Sequence, residues 1–270
     1  MLLASLILLL PFSSSGSQAL LQWVSRSDLV DIEYSGGSLF GDLQLQRVTI
    51  STDSVSLRLS DLHSRLELGC LWRSRFCFSE LRASELALDI LPGQSEPDPG
   101  TSDPQLVDIP YGFEVAQLQV ESTLLRWPGG SWHQGTMQAV VTLVGSRLQI
   151  DDATVERPML TIEASEEGDT GYAGFEPPEI FLPLDLFLGQ LRLVTPGAQI
   201  GTLEQQFDQI EIAGNWSGSS LKLDELAVDK PGVGQIAVAG SLDFAGDWPL
   251  RVEARVELED ALSIAEKIDI

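Results

Sequence analysis

Apolar and polar residues alternate with a period of two along almost the whole chain. Leu43-Gln-Leu45 and Val48-Thr-Ile50 alternate with one residue slipped between the pairs, the mark of a bulge or bend. Val55-Ser-Leu57-Arg-Leu59 and Leu66-Glu-Leu68 follow, then Leu86-Ala-Leu88-Asp-Ile90 and the runs 115–120 and 137–144. The rhythm continues through Leu148-Gln-Ile150, Leu160-Thr-Ile162, Leu191-Arg-Leu193, Ile210-Glu-Ile212, Leu221-Lys-Leu223, Ile236-Ala-Val238, Leu242-Asp-Phe244 and the run 252–258. Turn residues punctuate it at Ser35-Gly-Gly37, Trp127-Pro-Gly-Gly130, Thr195-Pro-Gly197, Lys230-Pro-Gly232 and Gly246-Asp-Trp-Pro249. Many short antiparallel strands, apolar on one side, are predicted. Helical spacing is confined to residues 18–27 and 259–268.

Two segments break the pattern. Residues 92–105 (PGQSEPDPGTSDPQ) and 166–178 (EEGDTGYAGFEPP) hold clustered Pro, Gly and acidic residues, and are expected to be solvated loops. The strand grammar is the same on both sides of each, so residues 25–270 read as one β-structured region. At the start, residues 1–12 carry no charged side chain, and a second apolar patch spans 20–24 after small and polar residues. Residues 1–24 are expected to be a membrane anchor or signal segment, although the usual basic flank is missing. A cleaved signal and a buried first strand are the other readings. No later stretch approaches the ~18 apolar residues needed to span a bilayer.

A sandwich or closed barrel would alternate in the same way. Aromatic residues make up only 7%, and the apolar positions are mostly Leu, Val and Ile, which suit an aliphatic surface as well as a core. A dozen strands at ~4.8 Å spacing form a ribbon about 50–60 Å long, and curling it about its apolar face would leave an open groove fit for acyl chains. Alternation by itself leaves both readings standing.

Charge narrows the partners. With 16 Lys+Arg against 40 Asp+Glu, the formal charge is −24, which repels phosphate backbones; nucleic acid is not an expected partner. The cysteines, Cys70 and Cys77, fit one disulfide in an exported chain, and two free thiols remain an alternative. Closing so short a loop is worth about 2–3 kcal/mol in the chain-entropy model. A metal site is disfavoured, since the only histidines are His63 and His133.

No catalytic constellation emerges. Gly214-Asn-Trp-Ser-Gly218 places its serine one residue off a nucleophile elbow. Neither histidine has an implied nucleophilic partner, and Asp151-Asp152 reads as a turn. No phosphate-cradling glycine loop or cofactor motif is found. Trp72, Trp127, Trp132, Trp216 and Trp248 fall at strand ends or turns, where an indole can cover the end of a sheet. No enzymatic activity is expected.

The stretch Leu66-Glu-Leu-Gly-Cys-Leu-Trp-Arg-Ser-Arg-Phe-Cys77, set between alternating strands, resembles the N-terminal region of the TamB family. These are large inner-membrane-anchored periplasmic proteins of the AsmA-like group. Phe175-Glu-Pro-Pro-Glu-Ile-Phe-Leu-Pro-Leu-Asp-Leu and Leu242-Asp-Phe-Ala-Gly-Asp-Trp-Pro-Leu extend the resemblance over most of the chain. It implies an inner-membrane anchor and a β-structured apolar groove that carries phospholipid across the periplasm. It also implies work with an Omp85-type outer-membrane barrel in outer-membrane protein assembly, through a C-terminal domain these residues do not include. Family members are several times longer, so the chain is expected to be the N-terminal part of a longer protein. Cys70 and Cys77 carry over as a disulfide. The lipid-facing positions come from the alternation: Leu43, Leu45, Val55, Leu57, Leu59, Leu66 and Leu68.

Overall fold

A computed structural model describes residues 10–26, 29–52, 55–91, 109–163, 181–230, 234–244, 249–258 and 263–269. Strands dominate, and the sheet is open, not closed into a barrel. The chain divides into two compact units, Met1–Pro99 with Tyr111–Val141, and Gly100–Pro110 with Thr142–Ile270. The loops expected at 92–105 and 166–178 lie outside the described residues.

In the first unit, β1 (Val30–Gly37), β2 (Asp42–Ser51), β3 (Val55–Glu67) and β4 (Arg75–Ile90) form an antiparallel meander. Next, β5 (Ile109–Trp127) pairs parallel to β4, and the short β6 (Gly130–Gln134) turns back on β5. The second unit repeats the scheme. β8 (Arg147–Glu156) pairs parallel with β10 (Leu182–Val194), and β9 (Met159–Ile162) with β11 (Gly197–Ile200). β12 (Leu203–Gln206) pairs with β11, and an antiparallel series follows through β13 (Gln209–Gly218), β14 (Ser220–Lys230), β15 (Gly234–Asp243), β16 (Leu250–Leu258) and β17 (Ser263–Asp269). β7 (Met137–Gly145) falls where the two units meet in sequence.

An all-antiparallel sheet was expected, and the parallel pairs correct it. They flank the two Pro- and Gly-rich connections. A parallel return needs a crossover of a dozen or more residues, and these connections are long enough to carry the chain back along a strand.

Helix α1 (Ser14–Val24) follows a 3-10 turn, Leu10–Phe12, at the start of the described chain. Ser13 caps it, its hydroxyl accepting from Gly16 N at 3.1 Å, and satisfies one of the free N–H groups of the first turn. Its 11 residues make about 16 Å of helix, and no described helix is long and apolar enough to cross a membrane. The helix lies on the sheet: Leu21, Leu43 and Leu45 are buried together, with Ile32, Tyr34, Leu39, Val48 and Leu62 packed around them. Residues 14–24, read from sequence as part of an anchor, are therefore a piece of the folded unit.

The slip between Leu45 and Val48 is a β-bulge. Glu33 pairs with Arg47 and Tyr34 with Leu45, which leaves Gln46 without a partner on β1. Asp61, facing this break in β3, sits at φ 49, and the Ser84 hydroxyl of β4 donates to Ser60 O at 3.2 Å and Asp61 Oδ2 at 2.9 Å. The irregularity thus runs across neighbouring strands at one level. Each strand changes the parity of its apolar positions there, so Val48 joins the side already occupied by Leu43 and Leu45.

A similar row crosses the second unit. Asp152 has φ 47, and the β13–β14 register steps from Ala213–Glu225 to Gly214–Leu223. Asp151-Asp152 therefore lies mid-strand in β8, with Asp152 in the left-handed region, and is not a turn between strands. Glycine is required on this row: a Cβ on Gly214 would strike the Lys222 carbonyl, and one on Gly240 the Arg251 carbonyl.

Two further expectations are corrected. Leu66-Glu-Leu68 does not stay extended, because β3 ends at Glu67 and Leu68 begins a 3-10 turn, Leu68–Arg73, drawn in by the short Cys70–Cys77 span. Residues 263–268, inside the segment 259–268 read as a terminal helix, belong to β17 on the edge of β16. A helix that short is marginal in water, whereas the edge offers a full ladder of backbone hydrogen bonds.

Candidate functional site

The strand register gathers the alternating apolar residues into rows that cross the sheet at right angles to the strands. In the first unit Ile50 pairs with Leu57, Leu57 with Leu88, Leu88 with Leu125 and Leu125 with Trp132. One step along, Val48, Leu59, Leu86, Thr123 and Gln134 form a second row. Directly paired residues share a face, so these are the lines of one apolar surface. Its polar end is satisfied: Trp132 Nε1 donates to Gln134 Oε1 at 2.9 Å, and Gln134 Nε2 to Thr123 Oγ1 at 3.1 Å.

The seven positions singled out by alternation do not share one environment. Val55, Leu57 and Leu59 are half-buried on the rows, and Val55 pairs with Ile90, which is 41% exposed. Leu43 and Leu45 lie under α1 in the core. Leu66 is buried at the far end of β3, where its N–H donates to Gly41 O at 3.1 Å. Leu68 is exposed in the 3-10 turn. Sequence reasoning missed Ile50, Leu86, Leu88, Leu125 and Trp132 as parts of the surface, since strand registers, and not periods, place them beside Leu57 and Leu59.

The second unit carries longer rows. Val155, Leu193, Ile210, Val228, Ile236, Val256 and Ile264 are successive partners across seven strands. Leu148, Leu186, Trp216, Leu221, Leu242 and Leu250 form another, closed at one point by the Trp216 ring 5.1 Å from that of Phe244.

Charged side chains follow the same cross-strand logic. Arg47 and Glu33, Arg126 and Asp89, and Arg192 and Glu211 are register partners with N–O distances of 3.2 Å. Arg65 Nε donates to its partner Asp42 at 2.6 Å, and the guanidinium holds that carboxyl below its ordinary value. Strand alternation therefore separates an aliphatic side from an ion-paired side within each unit.

Among the described residues no group of three or more His, Cys, Asp and Glu could hold a metal ion. His63 lies on β3 opposite Gln44 and Arg82, and His133 on β6 opposite Leu124. The serine of Gly214-Asn-Trp-Ser-Gly218 lies within β13. The Cys70 and Cys77 sulfurs are 2.11 Å apart and their Cα atoms 5.8 Å apart, across the turn that joins β3 to β4.

Comparison with known proteins fits this geometry. The chain matches the family model of the TamB N-terminal domain over residues 2–270. It is also similar to the translocation and assembly module subunit TamB of Haemophilus influenzae, 20% identical over 294 aligned residues. That alignment takes in 94% of this chain and 22% of the relative, so the chain spans about a fifth of the curated relative's length. No solved structure matches. The chain therefore belongs to the TamB family, and its residues correspond to that family's N-terminal domain.

Proposed function

We propose that the aliphatic surface of this chain is a path for phospholipid acyl chains, in the N-terminal part of a longer translocation and assembly protein. That protein is tethered to the inner membrane through the apolar N-terminal segment, with its bulk in the periplasm. It works with an Omp85-type outer-membrane barrel, through parts of the protein beyond these residues, in outer-membrane protein assembly. The observation that carries the reading is the continuity of the apolar rows from strand to strand, with side chains such as Ile50 and Ile90 still 37% and 41% exposed. A packed core would have covered them.

Such a surface works without catalysis. Each methylene withdrawn from water is worth about 0.8 kcal/mol, so an acyl chain gains by lying on Leu and Val side chains at every step along the rows. Because neighbouring rows are chemically alike, the lipid moves between positions of similar energy. The periplasm is oxidising, so the Cys70–Cys77 bond persists there.

A second reading has one observation behind it: α1 covers Leu43 and Leu45, so part of the face is a packed core, as in a purely structural β-solenoid. Charge placed on a row separates the two. Leu59→Asp, introduced into the full-length protein, should slow delivery of labelled phospholipid to the outer membrane while Arg58→Asp leaves it unchanged. Normal delivery by a folded Leu59→Asp protein would favour the structural reading.

A further inference from the structure

The turn between β3 and β4 is an unusual surface for so acidic a chain. Trp72 projects from it 95% exposed, and Leu68 is 38% exposed beside it. Among the described residues the indole covers no sheet end and meets no core. From Leu68 to Ser79 there is no acidic residue, while Arg73 and Arg75 supply two positive charges; among the described residues Arg75 pairs with Glu114 at 4.0 Å. On the neighbouring start of β5, Tyr111 (54% exposed) and Phe113 (38%) group around Phe76, with ring centroids at 6.0 and 5.4 Å. The Cys70–Cys77 link holds the turn in place, and Ser74 O accepts from Gly112 N at 3.1 Å.

The same end of this unit receives the N-terminal segment. Leu66 N, next to the turn, donates to Gly41 O; Phe40 N donates to Pro11 O at 3.2 Å, and the Phe12 and Phe40 rings lie 5.1 Å apart. Residues 1–9, which lead into Leu10 at this end, contain no charged side chain. Exposed indole and phenol rings with adjacent arginines are the composition that settles at the boundary between headgroups and acyl chains. Arginines there are drawn to anionic lipid phosphates even when the whole protein carries the opposite charge, because screening limits the distant carboxylates to about a Debye length.

We propose that the disulfide-held Leu68–Cys77 turn, with Tyr111 and Phe113, is a membrane-interface contact that seats this end of the first unit on the lipid surface. Trp72 enters the interface, and Arg73 and Arg75 meet lipid phosphates. The proposal rests on the membrane-tethered reading above but assigns a surface that the tether alone does not require.

The test uses the full chain reconstituted into vesicles of phosphatidylethanolamine and phosphatidylglycerol, with and without lipid brominated on its acyl chains. Subtracting the emission of Trp72→Phe from that of the unaltered chain isolates Trp72, whose exposed ring is removed without disturbing packing. Its emission should be blue-shifted and lose intensity with brominated lipid, and the loss should shrink in Arg73→Gln/Arg75→Gln. The corresponding signal for Trp127, at the opposite end of β5, should be unquenched. A chain that floats with the vesicles while its Trp72 emission is unshifted and unquenched would overturn the contact and leave the tether standing. A chain that fails to float would overturn both.

Discussion

Ser17 is fully buried where α1 meets the β1–β2 turn. Its hydroxyl donates to Pro11 O at 3.1 Å and accepts from Leu39 N at 2.9 Å, so one side chain ties the helix to the sheet. Ser17→Val would leave the partly buried Leu39 N–H without this acceptor and Pro11 O with Phe40 N as its remaining donor, and should cost about 1–3 kcal/mol in urea denaturation. A different dependence belongs to Asp42. Its folded-state carboxyl is held low by the Arg65 hydrogen bond, so the pair's contribution is present above the unfolded value of ~3.9 and is lost as pH falls through the folded value. The unaltered protein and Asp42→Asn should therefore differ in urea midpoint at neutral pH and converge in acid. The pair is exposed to solvent, so the difference is small.

At the scale of elements, the rows depend on strands that approach closely at the bulges. Gly214→Val would push β13 off β14 where the new side chain meets the Lys222 carbonyl, costing about 1–3 kcal/mol or more and broadening amide resonances of both strands. Much of this level is legible in sequence. Leu57, Leu88, Leu191 and Ile212 each announce a strand and its inward side through period two, and even the bulge at Gln46 shows as a slipped residue. What sequence does not contain is the register: nothing local says that Leu57 faces Leu88, or that β5 runs parallel to β4, because those pairings are settled by long crossovers and by edges waiting to be filled. Residues 263–268 illustrate the point, since a helical spacing yielded to the open edge of β16. The candidate surface was accordingly legible in part, with Val55, Leu57 and Leu59 on the rows, Leu43 and Leu45 on the same side but covered by α1, and Leu66 and Leu68 at the far end of β3 and in the turn beyond it. The helix over Leu43 and Leu45 has its own consequence. Leu21→Asp should loosen α1 and raise hydrogen exchange at Leu43 and Leu45 before the rest of β2 and β3 opens.

Across the whole sequence the formal charge is −24, which keeps the ion-paired side of each unit hydrated while that unit's other side offers Leu, Val and Ile to whatever apolar chain reaches it. On the proposed reading these residues are one stretch of a longer path, so the proposed lipid-facing side must be accessible strand after strand. The most direct measurement is a photo-crosslinking scan of β3 in living cells, with the reactive residue placed in turn at Val55, Ser56, Leu57, Arg58 and Leu59. Phospholipid should be captured at Val55, Leu57 and Leu59 and not at Ser56 or Arg58, a period of two matching the strand. Capture of protein alone at Leu57 and Leu59, or lipid capture with no alternation, would contradict an open acyl-chain path.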